Sequence, residues 1–350
     1  MKATNTANIE RVTVKSTTLE EVTEKVFDIE DKCEDFFSPK LGGGNSNVSY
    51  EQDKFFLNYT DINGTEHRSP LTRHSLRQLC SLIDVPTRYA EKCAGVHEDW
   101  ATNLILQNMN EWLLRNKREN ALIREYDKSV RGILSDRYTT FDAPDVMLGV
   151  NTGFSQFHDD YSVEGYTVNP EMLHIRVVKK SPVPGLNEDL YAGVVISSSD
   201  VGRGSISIGY FLFKQICTNG LIVRRAAGTR FRQVHMGNID EIAFAVETAI
   251  AGIADYERNV SEYVKKGRKI NLTHILKNPD SSDYEALFRN VKAHTGLPSK
   301  AVEQVFDVAM VGYEPTMWGI VNAITDQAQS YTLDRRLILE EAAGRLLVSA

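Results

Sequence analysis

An α+β fold with a central, mainly antiparallel sheet, flanking helices and a helical C-terminal part is predicted from three observations. Stretches such as MLHIRVVKK, LYAGVVISSS and SISIGYFLF alternate with a period of two. The last two are separated by Asp200-Val201-Gly202-Arg203-Gly204, a turn with enough glycine to reverse an antiparallel pair. From Asp240 onward the apolar spacing becomes helical. A chain of 350 residues fits two domains or one large one with insertions. The segments divide at 1–65 (a polar N-terminal segment with a β-hairpin), 66–236 (an α+β core) and 237–350 (a helical part).

Residues 1–50 are polar and weakly periodic, and LGGGNSN (Leu41 to Asn47) reads as a flexible loop, because no Lys-Ser/Thr follows its glycines to make a phosphate loop. KFFLNYTDINGTEHR reads as a hairpin turning at Asn63-Gly64. Thr72 caps a helix with Leu76, Leu79, Cys80 and Ile83 inside, and Pro86 opens a second that carries Tyr89 and Cys93. A third helix takes Trp100, Leu104, Ile105, Trp112 and Leu113 as its core face. ALIREYD and VRGILSD pair as strands around Lys128-Ser129. Asp142 caps a helix with Pro144 in its first turn and Val146, Met147 and Val150 inside. In MLHIRVVKK, Leu173, Ile175 and Val177 share one face and His174, Arg176 and Val178 the other. IDEIAFAVETAIAGIADYERNVSEYVKKG reads as one long amphipathic helix stopped by Gly267. Four shorter helices follow, from Asp283, Lys300, Thr316 and Leu333.

Composition narrows the class. Hydrophobic residues make up 42% and charged residues 25%, which excludes wholesale disorder and a fibrous repeat. No apolar run approaches a membrane span, and the N-terminus has no signal-peptide core. Cys33, Cys80, Cys93 and Cys217 are scattered without a CxxC pair, so a reducing, cytoplasmic setting is expected. The net charge of −7 argues against coating nucleic acid with the whole surface. From Val201 to Ile239, however, there is no Asp or Glu, while Arg203, Lys214, Arg224, Arg225, Arg230 and Arg232 are present. A positive site on an acidic body is the footprint of a polyanion groove.

Other chemistries are poorly served. His158, Asp159, Asp160 and Glu164 are candidate ligands for a divalent metal, but FSQFHDDYSVEGY reads as a solvated, turn-like loop. The histidines form no HxxxH or HExxH pair, and there is no GxSxG elbow. Cys217 sits among apolar residues and reads as a buried thiol. GRGSISIG lacks the following helix that a dinucleotide site requires. No catalytic residue, metal or cofactor is expected. The basic segment CTNGLIVRRAAGTRFRQVHMGN remains. Along an extended segment Arg230 and Arg232 share a face about 7 Å apart, near the spacing of successive phosphates. Tyr210, Phe211, Phe213 and Phe231 lie in the same region. An exposed ring there can stack a base, but the phenylalanines read as core.

Several stretches together carry a resemblance: LTRHSLRQLCSLIDVPTRYAEKC, ILSDRYTTFDAPDVM, FKQICTNGLIV followed by FRQVHMGNIDEI, and MWGIVNAITDQAQ ending in LEEAAGRLL. From about residue 70 onward the chain resembles the phage- and plasmid-like domain of unknown function found in bacteriophages, prophages and plasmids. The resemblance implies a mobile-element origin and no established catalytic residues. More distantly, a mixed sheet with a basic strand-turn-strand is similar to Rad-type single-strand annealing proteins, which form rings and anneal without ATP or metal.

The expected function is therefore a non-enzymatic, phage-type protein that binds single-stranded DNA, possessing annealing activity as a homo-oligomer in the cytoplasm of a bacterial host. Lys214, Arg224, Arg225, Arg230 and Arg232 form its phosphate ledge, Asn219 lies in the turn that places it, and Arg203, Arg176 and Lys180 contribute less. The alternatives are a phage factor that binds a host defence protein through the helical C-terminus, and a metal-dependent nuclease centred on His158, Asp159, Asp160 and Glu164.

Overall fold

The computed structural model describes residues 17–39, 41–116, 120–157, 160–186, 189–214, 219–221, 231–233 and 238–349. The chain opens with α1 (Leu19–Glu30), started by a capping box in which Thr18 and Glu21 bond each other's backbone N–H. It continues through β1 (Cys33–Pro39), β2 (Ser46–Glu51), β3 (Lys54–Thr60), β4 (Glu66–Pro70), α2 (Arg73–Leu82), α3 (Thr87–Ala94), α4 (Asp99–Arg115), β5 (Asn120–Tyr126) and β6 (Ser129–Ser135). Two three-stranded antiparallel sheets result, β1-β5-β6 and β2-β3-β4. The expected hairpins stand. Gly64 takes φ +82 at the first, and Asp127 and Lys128 take positive φ at the second. Thr72 accepts from the Ser75 N–H, as its N-cap role requires.

The second half contains α5 (Ala143–Phe154), β7 (Tyr161–Asn169), β8 (Met172–Lys179), β9 (Leu190–Ser198), β10 (Ile206–Lys214), β11 (Asn219–Leu221) and β12 (Phe231–Gln233). Then come α6 (Ile239–Ala251), α7 (Ile253–Lys269), α8 (Thr273–Leu276), α9 (Ser282–Thr295), α10 (Ser299–Val311), α11 (Met317–Ala328) and α12 (Leu333–Ser349). The main sheet runs β11-β10-β9-β8-β7, all antiparallel, with β12 also paired to β10. The fold is α+β with antiparallel sheets and a helical C-terminal region.

The apolar side chains gather mainly in two clusters. One joins Leu41, Leu57 and Tyr59 to Leu79, Ile105 and Ile133. The other joins Val22 and Val26 of α1 to Ile175, Val194, Val246 and Ile324. The expected divisions at 65/66 and 236/237 thus fall inside these clusters.

Four local expectations are corrected. Within residues 17–50, read as polar and weakly periodic, the chain forms α1, β1 and the start of β2, although 41–45 are turns. There Leu41 is fully buried, and Gly42 packs where a Cβ would strike the Leu113 and Asn116 carbonyls. Tyr161–Tyr166, the end of the stretch read as a turn-like loop, belong to strand β7 at the sheet's border, with a register shift between Val163 and Gly165 that broke its alternation. The long helix after Asp240 is two helices that meet at Gly252, a position with no room for a Cβ against the Tyr210 hydroxyl. Gly267 lies within α7 and lets it approach Trp318 and Leu347. On α4 the buried stripe is Ala101, Ile105, Met109 and Leu113, one residue in four, so Trp100 (62% exposed), Leu104 and Trp112 (53% exposed) fall outside it.

Candidate nucleic-acid interface

The basic segment is anchored on the outer edge of β10. β11 pairs there with Leu212 opposite Leu221 and Lys214 opposite Asn219, while β12 pairs with Ile206 opposite Gln233 and Ile208 opposite Phe231. Nine residues of sequence separate Leu221 from Phe231, but the two pairings are separated on β10 by only the three residues 209–211. Of the expected ledge, Arg224, Arg225 and Arg230 lie outside the described residues, as does Cys217. Arg232 is registered opposite Ser207 and Asn219 opposite Lys214, so Asn219, expected in a turn, is instead the first residue of strand β11. Lys214 is half-buried, with its Nζ 5.5 Å from the centroid of the Tyr313 ring.

The lesser contributors fare differently. Arg176 is withdrawn from the interface: it is buried, its Nη2 donates to Glu340 Oε2 at 2.5 Å, and its Nε donates to His174 Nε2 at 3.3 Å. Alternation correctly set it opposite Ile175, but that second face is itself covered, by Glu340 and Arg336 of α12. Because His174 Nε2 accepts, its Nδ1–H donates to Ser197 Oγ at 2.8 Å. Burial, then the neighbouring Arg176 and Arg336, hold this imidazole neutral, well below its ordinary range. Arg203 is engaged by Glu171 (2.7 Å) and Asp334, so it too is no ready phosphate contact. Lys180 is exposed and lines a cavity of about 180 Å³ with Tyr191 and Phe213.

The aromatic side chains are structural. Phe211 and Phe213 are buried with Val178, as expected of them, and Gly193 leaves room for the Phe211 ring. Tyr210 stacks on Tyr256 at 5.0 Å, and Phe231 packs against the main core. Asp160 and Glu164 are described, with Ser162 donating to Glu164 at 2.8 Å, whereas His158 and Asp159 lie outside the described residues. Among the described residues no group of three or more His, Cys, Asp or Glu is placed to hold a metal ion, and no helix is long and apolar enough to cross a membrane.

A buried charge cluster was missed by sequence reasoning. Arg124 of β5 donates through Nε to Asp35 (2.9 Å), through Nη1 to Asp142 (2.7 Å) and the Asp200 carbonyl (2.8 Å), and through Nη2 to Asp142. Burial opposes its charge, but Asp142 and then Asp35 more than offset this and hold the guanidinium firmly protonated. Arg131 of β6 is 1% exposed. Its Nη1 donates to the Pro170 carbonyl at 2.8 Å and lies 3.7 Å from Asp200, while its Nε and Nη2 have no hydrogen-bond partner. Burial first, then the charge of Asp142, pushes the Asp200 carboxyl up to about 7 against the pull of Arg131 and Arg124. The signal was in the strands themselves: an arginine within each of the apolar runs ALIREYD and VRGILSD demands a buried partner.

Residues 130–343, well over half of the chain, match the model of a domain of unknown function (DUF932), and the chain belongs to that family. Neither the comparison with curated proteins nor that with solved structures returned a match.

Proposed function

We propose that this member of the DUF932 family binds single-stranded DNA through the basic segment held on the edge of β10. The observation that carries the reading is the attachment of an acid-free, arginine-rich run at both ends to one sheet edge, through β11 and β12. On this reading Arg224, Arg225, Arg230, Arg232 and Lys214 neutralise successive phosphates, with Asn219 beside Lys214 and Lys180 as a further contact. Arg176 and Arg203 take no part, since carboxylates already hold them. Binding is electrostatic and weakens steeply with salt through counterion release. The reading extends to a bacteriophage or plasmid origin, a homo-oligomer that multiplies weak contacts, and strand annealing in the cytoplasm of a bacterial host. The stretches that resemble phage and plasmid proteins, and the similarity to Rad-type annealing proteins, support that extension.

The test is a fluorescence-polarisation titration with a single-stranded and a duplex oligonucleotide at two salt concentrations. Tighter binding of the single strand, weakened by salt, supports the reading. No binding of either oligonucleotide at the lower salt overturns it.

A protein-docking function has one observation in its favour: Phe244 of α6 (70% exposed) and Val311 at the end of α10 (90% exposed) are bare on the helical C-terminal part. Partner capture that is lost on truncation after Met236, with DNA binding absent throughout, would select it.

A further inference from the structure

We infer that the outer face of α4 pairs with the same face of a second copy of this chain, antiparallel across a two-fold axis. This names a surface for the homo-oligomer of the reading above, and it uses none of residues 214–232.

α4 is apolar on two sides. Ala101, Ile105, Met109 and Leu113 face the first cluster, while Trp100, Leu104 and Leu114 face water. A helix that is apolar all round belongs in an interior, with a neighbour on each side. The exposed side also has a regular spacing. Trp100, Leu104, Gln107, Glu111 and Leu114 are all exposed and follow one another at intervals of four, three, four and three residues. That repeat keeps one seam of a helix turned toward a second helix, and surface leucines scattered singly do not show it.

The symmetry of the pattern points to a copy of the chain as the occupant. Centred on Gln107, antiparallel pairing sets Trp100 against Leu114 of the second copy, Leu104 against its Glu111, and Gln107 against itself. An amide both donates and accepts, so a glutamine on the axis can bond its own copy. Polar positions within an apolar seam fix register and orientation between helices. Glu111 brings its own counter-charge, since Arg115 lies 3.0 Å away. The ends match as well. Glu98 and Asp99 make the start of α4 acidic, and Arg115 makes its last turn basic. Antiparallel packing places the acidic end beside the basic end and opposes the two helix dipoles, whereas parallel packing would bring like ends together. One helix pair covers less than the roughly 800 Å² per partner of a standard interface, so association is expected at micromolar protein.

The experiment is sedimentation equilibrium of the full chain across the micromolar range, where a monomer–dimer equilibrium is expected. Leu104→Glu sets an ion against an apolar seam and is expected to weaken dimerisation by about tenfold or more. Gln107→Glu and Gln107→Lys change an exposed polar position that the fold does not need. Each alone places like charges on the axis and is expected to weaken dimerisation, while an equimolar mixture of the two is expected to pair again. Only contact of this residue with its own copy produces that rescue. A chain that stays monomeric throughout, or a dimer that neither Gln107 variant weakens, overturns the inference. A monomer whose single-strand binding falls in Trp100→Ala also overturns it and gives the face to a stacked base. Salt-sensitive single-strand binding by a monomer that Trp100→Ala leaves unchanged overturns the pairing alone, and the reading of the β10 edge stands.

Discussion

Arg176 of β8 and Glu340 of α12, 164 residues apart in sequence, form a buried ion pair 2.5 Å long, and Arg336 bonds the other oxygen of the same carboxylate at 2.8 Å. One anion thus holds two guanidiniums between the outer face of the main sheet and the last helix. Removing one member of such a group leaves uncompensated charge in low dielectric.

Glu340→Gln is accordingly expected to destabilise the protein by about 3–5 kcal/mol, the usual penalty for breaking a buried pair. The double variant Arg176→Met with Glu340→Leu is expected to lose less than the single one. Urea midpoints of the two, compared at equal slope, check the order.

His174 gives the group a pH dependence. Its folded pKa lies below its unfolded value, so its share of stability is present above about 6.5 and is lost as pH falls below that. His174→Gln, which cannot take up the proton beside Arg176 and Arg336, is expected to flatten the acid limb of a plot of melting temperature against pH.

Asp200 acts with the opposite sign. Its folded pKa is raised from 3.8 to about 7, so the folded form holds a proton that the unfolded form releases. Its contribution is full below about pH 4 and is lost as pH rises to about 7. Asp200→Asn, which mimics the protonated carboxyl among Asp142, Arg131 and Arg124, is expected to remove that decline. An unchanged slope between pH 4 and 7 would contradict the assignment.

Gly149 and Gly153 of α5 face α6 so closely that a Cβ at either would lie 2.6 and 2.7 Å from Ile242 and Val246. A helical Gly→Ala change gains about 1 kcal/mol in propensity, but overpacking costs about 1–3 kcal/mol. Gly149→Ala and Gly153→Ala are therefore expected to lower the melting temperature. Gly204→Ala, with nothing within 4 Å of its new methyl group, serves as the neutral control.

For the proposed interface, Arg230→Ala combined with Arg232→Ala is expected to weaken single-strand binding about equally across sequences and to reduce the salt slope by roughly two. An unchanged isotherm would remove those two arginines from the contact.

Local chemistry made much of this fold legible. Thr72, Asn63-Gly64 and Asp142 announce a cap, a turn and a capping box through bonds made within a few residues. The alternation of Leu173, Ile175 and Val177 is equally self-contained. What sequence did not reveal depends on distant packing. Arg176 looks like a solvent-facing cation until α12 arrives from 164 residues away. Gly267 looks like a helix stop until Leu347 needs the space. Trp100 and Trp112 look like core until Ala101, Ile105, Met109 and Leu113 turn out to suffice. Of the candidate interface, the anchoring strands follow from β-type alternation, whereas the sorting of cations into carboxylate-bound and other follows only from tertiary contacts.

The way Arg124 clasps its partners has a bearing on how the gene can be reshuffled. A crossover at the β5–β6 turn would take Asp35 and Arg124 from one parent and Arg131, Asp142 and Asp200 from the other. Any mismatch between parents at those five codons would strand an ion among apolar neighbours. Viable hybrids must therefore inherit both sides of that junction together, or exchange material elsewhere in the chain.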